Sequence, residues 1–135
     1  GLHQVSELEG HRSWQLRVDA DKTRCSGAWG LRIGTDESHV DIVLDGGVLR
    51  VDRSTSRYTQ HGETRTVTLP EGCTSSLEVV HDRSLTEIFL GDGALTFTLR
   101  SFVDPDSSGA GLLVEDVLTL SAGSIRTFAQ VPQAC

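Results

Sequence analysis

The sequence has no methionine and no asparagine, a single lysine (Lys22), three prolines, three cysteines and seven aromatic residues in 135. Each scarcity excludes something. A chain read from its own start codon shows an initiator methionine or a processed remnant. Its absence here leads to the expectation of a module cut from a longer polypeptide, with Gly1 as a remnant or scar the other readings. Cys25, Cys73 and Cys135 stand far apart and form no C-x-x-C, which excludes a zinc ribbon or a dithiol redox motif. A Cys25–Cys73 disulfide stays open beside free buried thiols; the second reading is favoured, and with it a cytoplasmic location. No apolar run approaches the length of a membrane helix, and no basic stretch followed by an apolar one opens the chain.

Positive charge is also scarce. Twelve basic against nineteen acidic residues give a net charge of −7 and a pI near 5.1. A nucleic-acid partner needs basic surface to displace counterions from phosphate, and an anionic membrane needs the same. Neither is expected. Eleven of the twelve basic residues are arginine. Arginine forks recognise phosphate and carboxylate, but these are scattered along the chain, as a coding preference would scatter them.

What the chain has is β-branched residues. Val, Ile and Thr number thirty and suit a pleated, half-buried surface. Strand-like runs recur about every ten residues with turn chemistry between them. Strands are expected near residues 13–20, 29–35, 40–44, 48–53, 65–69, 76–81, 86–90, 95–102, 112–120 and 125–131. Alternation is clearest in Leu95-Thr96-Phe97-Thr98-Leu99-Arg100 and in Val48-Leu49-Arg50-Val51-Asp52. Each such strand has one face for a core and one for water. Asp45-Gly46-Gly47 and Gly91-Asp92-Gly93 supply residues that tolerate positive φ in hairpin turns. So many short strands in one domain predict an all-β fold, a two-sheet antiparallel β-sandwich of the jelly-roll, concanavalin-like kind. Residues 1–12 are expected to lead in as a linker or short helix, and 13–135 to form the sandwich.

Chemistry is hard to find. There is no G-x-S-x-G elbow and no phosphate-cradling loop; Ser108-Gly109-Ala110-Gly111 lacks the lysine and third glycine. His3, His11, His39, His61 and His81 are dispersed, so neither a metal site nor a cofactor is expected. Asp82 with Glu87, or Asp104 with Asp106, are the candidate carboxylate pairs for sugar hydrolysis. Trp14 and Trp29 are candidates to stack on a sugar ring, with a core position favoured for Trp29.

One segment is more specific. Residues 77–93 (LEVVHDRSLTEIFLGDG) resemble the C-terminal β-sandwich module of glycoside hydrolase family 32, whose pattern there is D-x-S-x-x-E-[IV]-F-x-[ND]-x-G. Asp82, Ser84, Glu87, Ile88, Phe89 and Gly93 match; Gly91 stands where the family has Asn or Asp. Trp29-Gly30-Leu31-Arg32-Ile33-Gly34, Leu49-Arg50-Val51-Asp52-Arg53-Ser54 and Thr96-Phe97-Thr98-Leu99-Arg100-Ser101-Phe102 resemble further family stretches in order. The resemblance implies a parent β-fructofuranosidase, invertase or sucrose-6-phosphate hydrolase with an N-terminal five-bladed propeller as the module's partner. It implies catalysis by W-[ML]-N-D-P-N, R-D-P and E-C motifs in that propeller. None of these occurs here, so no catalytic residue carries over and this chain alone is expected to be inactive. Asp82, Ser84, Glu87, Phe89 and Gly93 are expected to be structural, with Asp82 and Ser84 closing a hairpin and Phe89 sharing a face with Glu87. The expected role is to brace the propeller and to shape contacts between copies; a lectin-like module binding fructans is the alternative.

Overall fold

A computed structural model describes residues 1–55, 64–70, 75–83, 85–91, 93–100 and 108–128. Within them the strands are β1 (Leu2–Gln4), β2 (Ser13–Ala20), β3 (Trp29–Gly34), β4 (His39–Asp45), β5 (Val48–Asp52), β6 (Thr64–Thr68), β7 (Ser76–Asp82), β8 (Leu85–Leu90), β9 (Leu95–Arg100), β10 (Ala110–Val114) and β11 (Leu120–Thr127). One sheet has the order β1-β10-β3-β4-β5-β6 and the other β11-β2-β7-β8-β9, with every pair antiparallel. The all-β two-sheet sandwich expected from alternation is the fold observed.

The period-2 pattern explains the layers. Trp14, Leu16, Val18 and Ala20 of β2 face inward, as do Leu77 and Val79 of β7 and Ile88 and Leu90 of β8. Against them stand Leu31 and Ile33 of β3, Ile42 and Leu44 of β4 and Leu49 of β5, all in one buried cluster. Residues between them in sequence point outward. Turns close both hairpins where expected: two residues, with Gly46 at φ 61°, between paired Asp45 and Val48, and four between paired Leu90 and Leu95.

Two expectations need correction. The run from Leu112 to Leu120 is not one strand. After Val114 the chain leaves the six-stranded sheet and crosses to the five-stranded one. Glu115 N–H donates to the Ala28 carbonyl (2.9 Å), Val117 exchanges backbone bonds with Ser26 (2.9 and 3.0 Å), and Ser26 Oγ donates to Asp116 (2.7 Å). The Glu115-Asp116 pair breaks the apolar alternation, and Ser26–Ala28 captures its backbone. The last strand accordingly begins at Leu120; residues 129–131 of the expected strand lie outside the described residues. Second, residues 1–12 do more than lead in. Leu2–Gln4 pairs with β10, and Leu8, in a short 3-10 turn, is completely buried in the core. Three residues are too few to show alternation, so the strand was invisible in sequence.

Gly30 shows why Trp29-Gly30-Leu31 takes the form it does. A Cβ there would lie 2.8 Å from the Ile42 carbonyl carbon and the Val43 Cα, and closer still to the Ile42 carbonyl oxygen. The obstacle is backbone of the paired strand, which cannot swing aside. Gly30→Ala is therefore expected to cost about 3 kcal/mol or more, read as a drop in urea midpoint. A loss below about 1 kcal/mol would show that β3 and β4 can separate at little cost.

Candidate functional site

The family-like motif spans the β7–β8 and β8–β9 hairpins. Asp82 ends β7, opposite Leu85, and Arg83 makes the turn at φ 57°. That conformation is uncommon outside glycine. Arg83 N–H donates to the Arg12 carbonyl at 2.9 Å, and Ser13 Oγ donates to Asp82 at 2.6 Å. Asp82 thus ties the turn sideways to β2. Ser84 lies outside the described residues. Glu87 and Phe89 share the outer face of the five-stranded sheet, half-buried, while Ile88 between them is fully buried. Gly93, at φ 87°, turns the chain from β8 into β9. The described motif residues therefore lie along two hairpins.

Beneath its first turn lies a buried polar contact that sequence reading missed. His81 is 4% exposed, its Nδ1 lies 2.8 Å from Thr86 Oγ1, and its ring lies against Trp14 at 5.3 Å between centroids. Burial pushes its pKa down from 6.5 to about 4, with the nearby Asp82 charge acting the other way. The Trp14 indole N–H is buried without an acceptor. Both tryptophans are core residues, Trp14 at 0% and Trp29 at 6% exposure, which removes them as sugar-stacking platforms. His81 sits on the inward phase of β7, in step with Leu77 and Val79, and that phase was the available signal.

The outer face of the six-stranded sheet carries an ionic cluster. Arg32 Nε and Nη2 donate to the two oxygens of Asp41 (2.9 and 3.1 Å), and Nη1 donates to Asp36 (3.0 Å). Hydrogen bonding to Asp41, with Asp36 adding to it, raises the Arg32 pKa. His39 Nε2 lies 3.9 Å from Asp41. Nearby Asp52 is held below the usual carboxylate range by hydrogen bonding from the Ser54 side chain first and from the Ser54 N–H (2.8 Å) after it, against the opposing effect of burial. On the other sheet Arg17 plays the same part for Asp19, again lowering the acid, and Gln15 donates to Glu78 (2.5 Å). These forks are occupied by carboxylates of the same chain.

The surface has several hollows, and two of them bear on binding. One of about 760 Å³ lies between Gln4–Glu9, the β3–β4 turn and Gly109; Glu9, Asp36 and Glu37 line it, all exposed, and no aromatic does. The other, about 400 Å³, opens between β5, β6 and β9 and is lined by Leu49, Val51, Val67, Phe97 and Leu99 with Arg53 and Arg65. Of the candidate carboxylate pairs, Asp82 is bonded to Ser13 while Glu87 stands opposite Val80; Asp104 and Asp106 lie outside the described residues. Among the described residues no group of three or more His, Cys, Asp or Glu is placed to hold a metal ion, and no helix is long and apolar enough to cross a membrane. Cys25 is a free thiol bonded to the Thr119 backbone, whose N–H donates to Sγ at 3.2 Å; Cys73 lies outside the described residues.

His81 sets an acid dependence. Its folded pKa is depressed, so its contribution is complete above pH 6.5 and is lost as pH falls towards 4, where the unfolded chain binds a proton and the folded chain does not. The loss amounts to roughly 3 kcal/mol. His81→Gln is expected to flatten the fall in urea-unfolding stability between about pH 6.5 and 5; an unchanged slope would show that His81 is already charged when folded.

The comparisons with known proteins concern this same scaffold. Residues 2–127 match the family model described as glycosyl hydrolases family 32 C terminal. Exo-inulinase from Aspergillus awamori superposes with a TM-score of 0.71 at 18% identity, over 88% of this chain and 25% of that one. A fructofuranosidase from Schwanniomyces occidentalis gives 0.67 at 14%, over 86% and 28%. Sucrose-6-phosphate hydrolase from Lactobacillus gasseri gives 0.58 at 20%, over 96% and 28%. The chain thus spans about a quarter of the length of each. No curated protein matches it.

Proposed function

The chain belongs to glycosyl hydrolase family 32 as its C-terminal domain, and from that premise we propose that it is the non-catalytic β-sandwich of a β-fructosidase acting on sucrose, sucrose-6-phosphate or fructans. Members of the family have an N-terminal catalytic domain. The proposed role is to brace that domain. The match to the C-terminal model over nearly the whole chain carries the reading. The described residues agree with it. Retaining hydrolysis needs two carboxylates about 5 Å apart across a sugar site. Here Asp82, Asp41 and Asp19 are held by Ser13, Arg32 and Arg17, and the acids of the large hollow stand in water.

A full-length chain including the residues that precede Gly1 is expected to release fructose from at least one β-fructoside, and the 135-residue chain alone to release none. Fructose release by the isolated chain would overturn the proposal. Titration calorimetry of the isolated chain with inulin and levan oligomers is expected to show no binding heat; saturable heat would make the chain a lectin-like fructan-binding module instead.

A further inference from the structure

Large apolar side chains that stand in water are not spread evenly over this sandwich. Among the described residues they are Val67, Leu85, Val117, Leu120, Ile125 and Phe128, and four of the six fall within twelve residues of one another. Those four occupy one flank: edge strand β11, the connection that leads into it, and the residue that follows it. We propose that this flank is the surface on which the catalytic domain of the same polypeptide seats.

The edges of the two sheets differ in how they are protected. An unpaired strand edge invites another chain, and proteins guard it with shortness, proline or inward charge. β1 has three residues. β6 carries Arg65 on its inward phase, opposite Val51. On β9, Leu95, Phe97 and Leu99 are partly buried against the core. β11 has eight residues, every one exposed, with neither proline nor lysine, and its one charge, Arg126, stands opposite outward-facing Gln15. A bulge follows Leu120 and leaves Ala122–Thr127 as a regular ladder. Ile125 lies opposite Leu16 and Leu120 opposite Ala20, both core residues. The two therefore prolong the inner face of the five-stranded sheet into water.

The choice of occupant rests on the proposed function, which places a larger domain on the N-terminal side. That domain joins beside this flank. Gly1 exchanges backbone bonds with Val114 at the end of β10. From that same point residues 115–119 lead to β11. A tethered domain of roughly two to two and a half times this chain's length, by the coverage of the relatives, is held at high effective concentration next to this exposed flank. Burying four such side chains excludes water from an apolar surface that the isolated sandwich leaves wet.

The test uses the full-length chain. Amide exchange of Ala122–Thr127 is expected to be at least about tenfold slower than that of the opposite edge, Thr64–Thr68. Ile125→Glu is expected to abolish this difference and to split a single thermal transition into two. Val67→Glu, on the other flank, should change neither. Unaltered exchange of β3 and β4 shows that the variant sandwich is folded; if Ile125→Glu disrupts it, Ile125→Ser with Val117→Ser is read the same way. Fast exchange of β11 in the wild-type chain overturns the proposal. So does protection that grows with protein concentration, which assigns the flank to a second copy, or that vanishes when residues 129–135 are deleted, which assigns it to the chain's own end. Fructose release by the same wild-type sample separates the two claims. An active chain with an exposed flank refutes only the docking surface, whereas an inactive chain refutes the proposed function.

Discussion

Everything in this domain depends on the mutual burial of two alternating faces. Neither sheet has an interior of its own. β2, β7 and β8 turn Trp14, Leu16, Val18, Leu77, Val79, Ile88 and Leu90 to one side, and that side is dry only because β3, β4 and β5 turn theirs towards it. At roughly 25 cal/mol for each Å² of apolar surface removed from water, this is the dominant favourable term in folding. Hairpin turns, the glycine at position 30 and the buried tryptophans are ways of letting the two faces meet closely.

The outer faces show how polar groups are used once the inner ones are committed to packing. Arg32, Arg17 and Gln15 each reach across or along a strand to a carboxylate of the same chain. Such exposed or half-exposed pairs contribute little each, but they leave those forks filled.

Much of this was legible in the sequence because strand alternation is a local code. Ser13–Ala20, Val48–Asp52 and Leu95–Arg100 each announce their own faces, and the glycine turns at 46 and 93 announce where they reverse. What was hidden depended on distant partners. β1 is a strand only because β10 lies beside it. The run from Leu112 reads as continuous until Ser26–Ala28 captures Glu115 and Val117. His81 looked like a dispersed histidine until β7 was given its phase, and Arg32 like a scattered arginine until the β3–β4 register placed Asp41 opposite. The motif residues Glu87 and Phe89 were read on a shared face, and they do share one; their facing away from the core follows from Ile88 facing into it.

The strand order also dictates a sequence of events. β3 to β6 form a meander of neighbours, as do β7 to β9, so each can close over short loops. β2 cannot pair until β7 exists, about sixty residues later, and it is completed on its other side by β11 near the far end of the chain. β1 waits likewise for β10. Pairings at such sequence separation place a domain among slow folders, on the order of milliseconds to seconds. On the ribosome, at roughly 5 to 20 residues per second, the domain's two N-terminal strands emerge first, and their pairing is completed last. Residues 110–127 act as the clasp that fastens both ends of the chain into opposite sheets.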